Sequence, residues 1–416
     1  MHPSSTAMTA NERRASGALA SIYALRMLGL FLVLPVFTLA AADYRGGDDA
    51  RLIGLAMGIY GLTQAALQWP MGLASDRFGR KRVIVFGMLV FATGSVMAAL
   101  ADSVWGLVIG RAFQGAGAVS AAVTALLADH TREQVRTKAM ALVGISIGAT
   151  FSLALVLGPW LGARIGLAGL FWLIAVLALL GIAVLTWLVP QAPATHEDGP
   201  DHAVPSAASQ ALQRPPVAGT AGALWRLQAG VFILHAMQMA MWSAVPLLLV
   251  EAGLAATAHW QLYLPTIAAS VVCFGAVFSL ERRGRVQWAL LLGVALLVVS
   301  QLALAAVSHA GISAGLSTLV MLGVLLFLFF CGFNALEALQ PSLVSRLART
   351  QSRGSAMGAY STLQSLGLFT GGFAGGLLMT QWGAAGVFAV NGLLGAVWLG
   401  LLLSQRRWAT PSAQQG

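Results

Sequence analysis

Four side chains that can carry charge sit inside long apolar stretches of this 416-residue chain: Arg26, Arg111, His235 and Glu337. Placing a charge at a bilayer centre costs ~2.5–3.5 kcal/mol on insertion scales, so each must face inward and find partners. Arg26 lies about eight residues into the first apolar run, roughly 12 Å deep at ~1.5 Å per residue. His235 follows Arg226 by nine residues and Glu337 precedes Arg346 by nine. The three therefore share a depth measured from one membrane face. A carboxyl buried among polar partners can gain and lose a proton inside the membrane, which is what a proton carrier needs. The blander readings are a static Arg26–Glu337 ion pair, a packing role for His235, and an Arg26 that snorkels to the surface.

Further polar side chains punctuate the same runs: Tyr23, Tyr60, Gln64, Gln68, Gln114, Gln238, Trp242, Asn334, Gln340, Tyr360 and Gln364. They are candidates to line a cavity, with interhelical hydrogen bonding as the competing role. Signatures of enzymes are missing. There is no HExxH, no GxSxG and no pair of catalytic acids in a soluble context, and Gly115-Ala-Gly117 lacks the lysine and the preceding strand of a phosphate loop. The two cysteines, Cys273 and Cys331, lie in apolar runs without metal-ligand spacing. No cofactor and no metal are expected.

The elements that hold these residues are membrane helices. The chain is 58% hydrophobic and 9% charged, with mean hydropathy +0.80, against about 25% charged residues in soluble domains. Twelve apolar runs of roughly bilayer-spanning length recur at 18–40, 52–71, 83–101, 104–128, 139–162, 167–189, 227–250, 260–280, 286–308, 315–345, 355–381 and 384–404. Strand-period alternation is missing, which excludes a β-barrel, and residues 1–17 do not read as a removable signal peptide. With the N-terminus inside, nineteen of the 24 lysines and arginines fall on the cytoplasmic side. The net charge of +10 is thus chiefly a topology signal, and nucleic acid is not an expected partner. The expected organisation is a cytoplasmic tail 1–17, a six-helix bundle 18–189, a flexible linker 190–223 rich in Pro, Ala, Ser and Gln, a second bundle 224–405, and a tail 406–416. Weak internal repetition supports two related halves. Asp76-Arg-Phe-Gly-Arg80 matches Glu281-Arg-Arg-Gly-Arg285, and Arg136-Thr-Lys-Ala-Met140 matches Arg353-Gly-Ser-Ala-Met357.

Between the second and third runs lies Gly72–Arg82, GLASDRFGRKR. Its charges must sit at the membrane surface, and its glycines suit tight turns or close approach. With Gly72, Asp76, Arg77, Gly79, Arg80 and Lys81 in register, it resembles motif A of the major facilitator superfamily. Leu107 to Gly117, carrying Arg111, Gln114 and Gly115, resembles motif B. Gly148 through Gly158, Pro159 and Gly162 resembles motif C of proton-linked drug antiporters, with Ala154 and Ala163 where glycine is expected. Leu28-Gly29 through Pro35 resembles the first-helix signature of the twelve-helix drug:H⁺ antiporters. Leu25–Gly29, Gly58–Gln64, Ser103–Gln114, Leu127–Met140 and Asn334–Leu343 are similar to the YajR-like group of bacterial inner-membrane transporters. The small soluble C-terminal domain of some members of that group is not expected here.

The resemblance implies an all-α fold of twelve transmembrane helices, in two pseudo-symmetric six-helix bundles around a central cavity. Helices one, seven and ten would line that cavity. It implies a monomeric transporter in a bacterial inner membrane, both termini cytoplasmic, with a small molecule, protons and the bilayer as partners. The expected activity is proton-coupled efflux of an apolar or amphipathic compound; a uniporter or symporter of a polar metabolite is the alternative. Arg26, Arg111, His235 and Glu337 would serve coupling. Tyr23, Tyr60, Gln64, Gln114, Gln238, Trp242, Asn334, Tyr360 and Gln364 would line the cavity. Arg80 would bridge Asp76 to Asp129, and Asp76 would latch onto the start of the eleventh helix at Gly354–Ala356.

Overall fold

The computed structural model describes residues 7–189, 220–348 and 353–404. In hydrocarbon every backbone N–H and C=O must be satisfied within the protein, and helices do so one segment at a time. The elements are α1 (Ala10–Ala41), α2 (Ala50–Phe78), α3 (Arg80–Ala99), α4 (Val104–Ala116), α5 (Ser120–Asp129), α6 (Glu133–Leu188), α7 (Thr220–Met241), α8 (Val245–Glu251), α9 (Trp260–Arg282), α10 (Val286–Ala310), α11 (Leu316–Leu347) and α12 (Arg353–Leu403).

Two of these are too long for one crossing. The 56 residues of α6 would span about 84 Å at ~1.5 Å per residue. Gly166, at φ 67° and ψ −179°, interrupts it, and Gly383, at φ 63° and ψ −165°, interrupts α12 in the same way. Each is therefore a pair of spans joined at a glycine. Among the described residues, nine helical segments are long and apolar enough to cross a membrane. Dividing α6 and α12 at their glycines, and adding the 23-residue α9, accounts for the twelve runs of the sequence.

Several boundaries differ from the apolar runs, each for a local reason. The first helix starts at Ala10, eight residues before its apolar run. Thr9 and Glu12 form a capping box there, and Glu12 reaches Arg132 at 2.8 Å. The expected tail 1–17 is thus helical and docked from residue 10. The fourth run is broken at 117–119, where Gly117 lies against Gly87 and Phe91 of α3. The seventh is broken at 242–244, because Pro246 in the first turn of α8 has no N–H for the carbonyl four residues back. That carbonyl belongs to Trp242, and Thr38 of α1 donates to it at 2.9 Å. Most of the expected linker 190–223, and all of the tail 406–416, lie outside the described residues.

Large apolar side chains cover the outside. Trp187, Trp225 and Trp288 are exposed near the ends that carry the 72–82 turn, and Trp105, Trp160 and Trp382 near the opposite ends. Such aromatic residues favour the two membrane–water interfaces. The parts 10–189 and 220–404 meet chiefly where α2 packs on α12 and where α9 packs on α6. Gly54 and Gly58 of α2 face Gly372, Gly376 and Phe369 of α12 backbone to backbone. These contacts, like Thr38–Trp242, lie on the side of the membrane away from the 72–82 turn.

Candidate functional site

The charged groups buried in the membrane fall into two clusters, one in each part of the chain. In the first, Arg26 is 1% exposed. It donates to Tyr60 Oη at 2.8 Å, Gln64 Oε1 at 3.3 Å and Ser120 Oγ at 2.9 Å. Ser120 is reachable because it opens α5, directly after the break in the fourth run. Tyr23 Oη donates to the Ser120 carbonyl at 2.7 Å and meets Thr124 Oγ1 at 2.9 Å. Arg111 lies over the Tyr60 ring, 5.1 Å from its centroid. It donates to Gln114 Oε1 at 3.0 Å and the Met57 carbonyl at 3.4 Å. Gln114 passes the chain on to Ser95 Oγ at 2.8 Å. Tyr60 thus stands between two buried guanidiniums, with neutral acceptors around both.

The second cluster joins His235 of α7, Glu337 of α11 and Gln364 of α12. His235 Nδ1 lies 2.9 Å from the Val231 carbonyl. A carbonyl only accepts, so Nδ1 carries the proton and Nε2 of the neutral ring is an acceptor. The Gln364 amide nitrogen sits 2.8 Å from Nε2 and 3.3 Å from Glu337 Oε1, and donates to both. Glu337 Oε2 faces Nε2 at 3.2 Å, and no donor reaches it. Two acceptors therefore confront each other. A proton on Nε2 would make that contact a charge-assisted hydrogen bond to the carboxylate, and one on Oε2 would make it a neutral O–H···N bond. Pro341, one turn on in α11, deprives the Glu337 carbonyl of its helical donor, so the backbone there is less constrained. The Glu337 side chain is 31% exposed whereas His235 is 5% exposed.

Aromatic rings connect the two parts beside this cluster. Phe151 of α6 lies 5.1 Å from Phe31 of α1 and 5.6 Å from Phe333 of α11, centroid to centroid. Phe333 in turn lies 6.1 Å from His235.

Three sequence expectations are corrected by this geometry. Arg26 and Glu337 share a depth but are not partners; each is held by neutral groups of its own part of the chain. Tyr60, Gln114 and Trp242 are sealed, at 1%, 0% and 0% exposure, and do not line open space. The polar ends of Tyr60 and Gln114 are met by neighbouring helices, which close over them. Among the motif C glycines, Gly158 brings α6 onto the Leu32 carbonyl and Pro35 of α1 and Gly162 packs on Val36, but Gly148 approaches nothing closely. Asn334 donates to Ser270 Oγ at 3.1 Å, and Gln238 and Tyr360 are buried at 3% and 4% exposure. Gly115 packs on the Tyr60 backbone and Thr63.

At the 72–82 turn, Arg80 holds Asp76 at 2.8 Å and also pairs with Asp129 at the end of α5. Gly79, at φ +93°, joins α2 to α3 in a conformation that residues with a Cβ avoid. Gly72 has only Ala121 beside it, at ordinary contact distance. Arg77 lies over the Phe78 ring at 5.5 Å, and Lys81 Nζ donates to the Val189 carbonyl at 2.7 Å. The side chain of Arg353, at the start of α12 where Asp76 would latch, and that of the repeat residue Glu281 lie outside the described residues. Between α1 and α2, the Arg51 side chain, hydrogen-bonded to the Asp49 carboxyl, holds it below its usual range against a smaller opposing effect of burial. Asp49 also caps α2 through the Arg51 N–H.

Residues 19–371 match the model of the Major Facilitator Superfamily. The chain belongs to this superfamily. It is 44% identical to the inner membrane transport protein YajR of Escherichia coli (strain K12) over 398 residues, covering 94% of this chain and 83% of that protein. It is 27% identical to the multidrug resistance protein MdtH of Yersinia enterocolitica, covering 84% of this chain and 82% of that one. Among solved structures, the D-xylose-proton symporter superposes with a TM-score of 0.72 at 14% identity, over 94% of this chain and 97% of that chain, a likeness of fold. The protein is a multi-pass helical membrane transporter of the major facilitator superfamily, and not an enzyme.

Proposed function

We propose that this transporter moves a small apolar or amphipathic compound out of the cell in exchange for protons, by alternating access. The observation that carries the reading is the contact between Glu337 Oε2 and His235 Nε2 at 3.2 Å, with no donor between them. One proton fits there, and the bond it makes would be lost when α7 and α11 shift relative to each other. Proton binding would therefore favour one conformer, as any ligand does that binds two states unequally. The absence of a guanidinium partner for Glu337 among the described residues supports a titrating role over a static one. The aromatic rings beside the cluster support an apolar ligand, and the likeness to a multidrug resistance protein agrees with one. The excess of basic residues around the 72–82 turn supports a cytoplasmic position for that face and for both termini, in a bacterial inner membrane, as is YajR. The two six-helix bundles, 18–189 and 224–405, would rock about the α2–α12 contact as a monomeric unit.

The test uses everted membrane vesicles carrying an acid-inside gradient, with a panel of apolar, amphipathic and polar compounds. A compound that dissipates the gradient in vesicles with the protein, but not in those with Glu337→Gln, identifies the exchange. Energy-independent substrate exchange should survive in Glu337→Gln. Normal gradient-driven transport by that variant would refute the role of Glu337, and uptake of a polar compound with the proton would refute efflux.

A further inference from the structure

We infer that the transporter carries a binding site for one anionic phospholipid between α3 and the second arm of α6, at the face of the 72–82 turn. A cleft of about 290 Å³ opens there, lined by Lys81, Arg82, Val85, Leu185 and Thr186. Its chemistry is layered. Lys81 and Arg82 sit at the rim, at the start of α3, and Val85 and Leu185 form an apolar wall below them. Lys81 is fixed on the cleft by its bond to the Val189 carbonyl. Arg82 is exposed and, among the described residues, meets no acid: Asp76 and Asp129 of the neighbouring turn are both engaged by Arg80. The outer surface continues in Phe86 and Leu89 on α3 and Trp187 on α6, all exposed.

An unpaired guanidinium and an ammonium above an apolar groove suit a phosphate that carries hydrocarbon. Arginine grips phosphate oxygens two at a time, and a basic pocket between membrane helices recognises an anionic headgroup. A free inorganic anion would satisfy the two cations but leave Val85 and Leu185 uncovered. A zwitterionic headgroup would bring its own ammonium against Lys81 and Arg82. The occupant that meets both layers is an anionic phospholipid, its phosphate on Arg82 and Lys81 and an acyl chain along Val85 and Leu185. It would tie the ends of α3 and α6 together beside the turn that must move with α2.

The experiment is native mass spectrometry of the full chain in mild detergent, titrated with dioleoylphosphatidylglycerol, dioleoylphosphatidylcholine or inorganic phosphate. We expect one tightly bound phosphatidylglycerol, weakened about thirty-fold in Lys81→Gln/Arg82→Gln, since each cation near the surface contributes about fivefold. Thr186→Trp, which fills the cleft and keeps both cations, should lose the lipid as well. Arg13→Gln/Arg14→Gln, which removes the same charge elsewhere on that face, should retain it. Lys81→Arg/Arg82→Lys should restore binding, which separates a lost site from a misfolded protein. Equal binding to the wild type and Lys81→Gln/Arg82→Gln, or an equal loss in Arg13→Gln/Arg14→Gln, would overturn the site. Binding of phosphate that phosphatidylglycerol fails to displace would overturn the lipid as its occupant.

Discussion

Gly58→Ala should drive the transporter out of the conformer described here. A Cβ added at Gly58 would lie 2.5 Å from the Phe369 carbonyl oxygen, and one at Gly372 would lie 2.7 Å from the Gly58 nitrogen. Non-bonded carbon is at rest at about 3.5–4.0 Å, so α2 and α12 must part by roughly 1 Å. Both atoms in the contact belong to helix backbone and cannot turn aside as a flexible side chain would. Overpacking of this kind costs about 1–3 kcal/mol. Alanine is also the better helix former by about 1 kcal/mol, but that gain is common to both conformers and cancels from their ratio. When the halves separate on this side, the methyl group meets open space and the penalty disappears. At ~1.4 kcal/mol per tenfold, the population should shift by a factor of about 5 to 150.

Double electron–electron resonance between spin labels at Asp48 and Gln381 reads this directly, because both positions are exposed and flank the contact on that side. The distance distribution should move to longer values in Gly58→Ala, and further in Gly58→Val. Gly148→Ala is the control: a Cβ there has nothing within 4 Å, and the distribution should stay where it was. A folded Gly58→Ala protein with the wild-type distribution would refute the argument that backbone contact at Gly58 sets the closed state of this side.

Three further outcomes follow from the clusters. Arg26→Met and Glu337→Gln share no partner, so their effects on thermal unfolding should add within ~0.5 kcal/mol; rescue of one by the other would restore the ion pair read from depth alone. If Asp76 latches onto the start of α12 as proposed, Asp76→Asn should remove a contact worth up to ~2 kcal/mol and favour by about thirty-fold the conformer open on the side of the 72–82 turn; an unchanged distance between labels at that end of α2 and α12 would remove the latch. Asp49, held below its usual range chiefly by Arg51, contributes stability that is fully present above the unfolded carboxyl value of about 3.9 and is lost as pH falls through the lower folded value; Asp49→Asn should keep the cap yet flatten that acid limb in melting curves taken between about pH 2 and 5.

The helices were legible because lipid leaves so few options. A run of apolar residues long enough to cross can only be a helix, and the twelve runs reappear as crossings. The breaks inside them were less visible. Pro246 announces that the Trp242 carbonyl lacks its helical donor, a signal that sequence reasoning passed over. The break at 117–119 depends on how closely α3 passes Gly117, and no local residue reports that. Depth along a helix can be counted from its end, which placed Arg26, His235 and Glu337 at one level. Direction around the axis cannot be counted across helices of unknown rotation, since each residue turns the face by about 100°. Hence Tyr60, Gln64 and Ser120 took Arg26, and His235 and Gln364 took Glu337.

That division of partners has an energetic consequence for a protein whose halves must part. Separating a buried ion pair leaves two uncompensated charges, at roughly 3–5 kcal/mol when one partner is removed. Among the described residues, the hydrogen-bond partners of Arg26 and Arg111 lie within 10–189, and that of Glu337 within 220–404. What joins the halves instead is glycine backbone against backbone, aromatic rings, and the hydrogen bond from Thr38 to the carbonyl that Pro246 left free. A hydrogen bond of that kind contributes about 0.5–1.5 kcal/mol net, and glycine surfaces part without dragging long side chains out of register. The polar groups are thus kept inside each half, where they need not be broken, and the moving interface is built of contacts weak enough to exchange. On the proposed reading, a proton at His235 and Glu337 would act on the second half alone, and would bias the motion without being trapped by an opposing charge from the first.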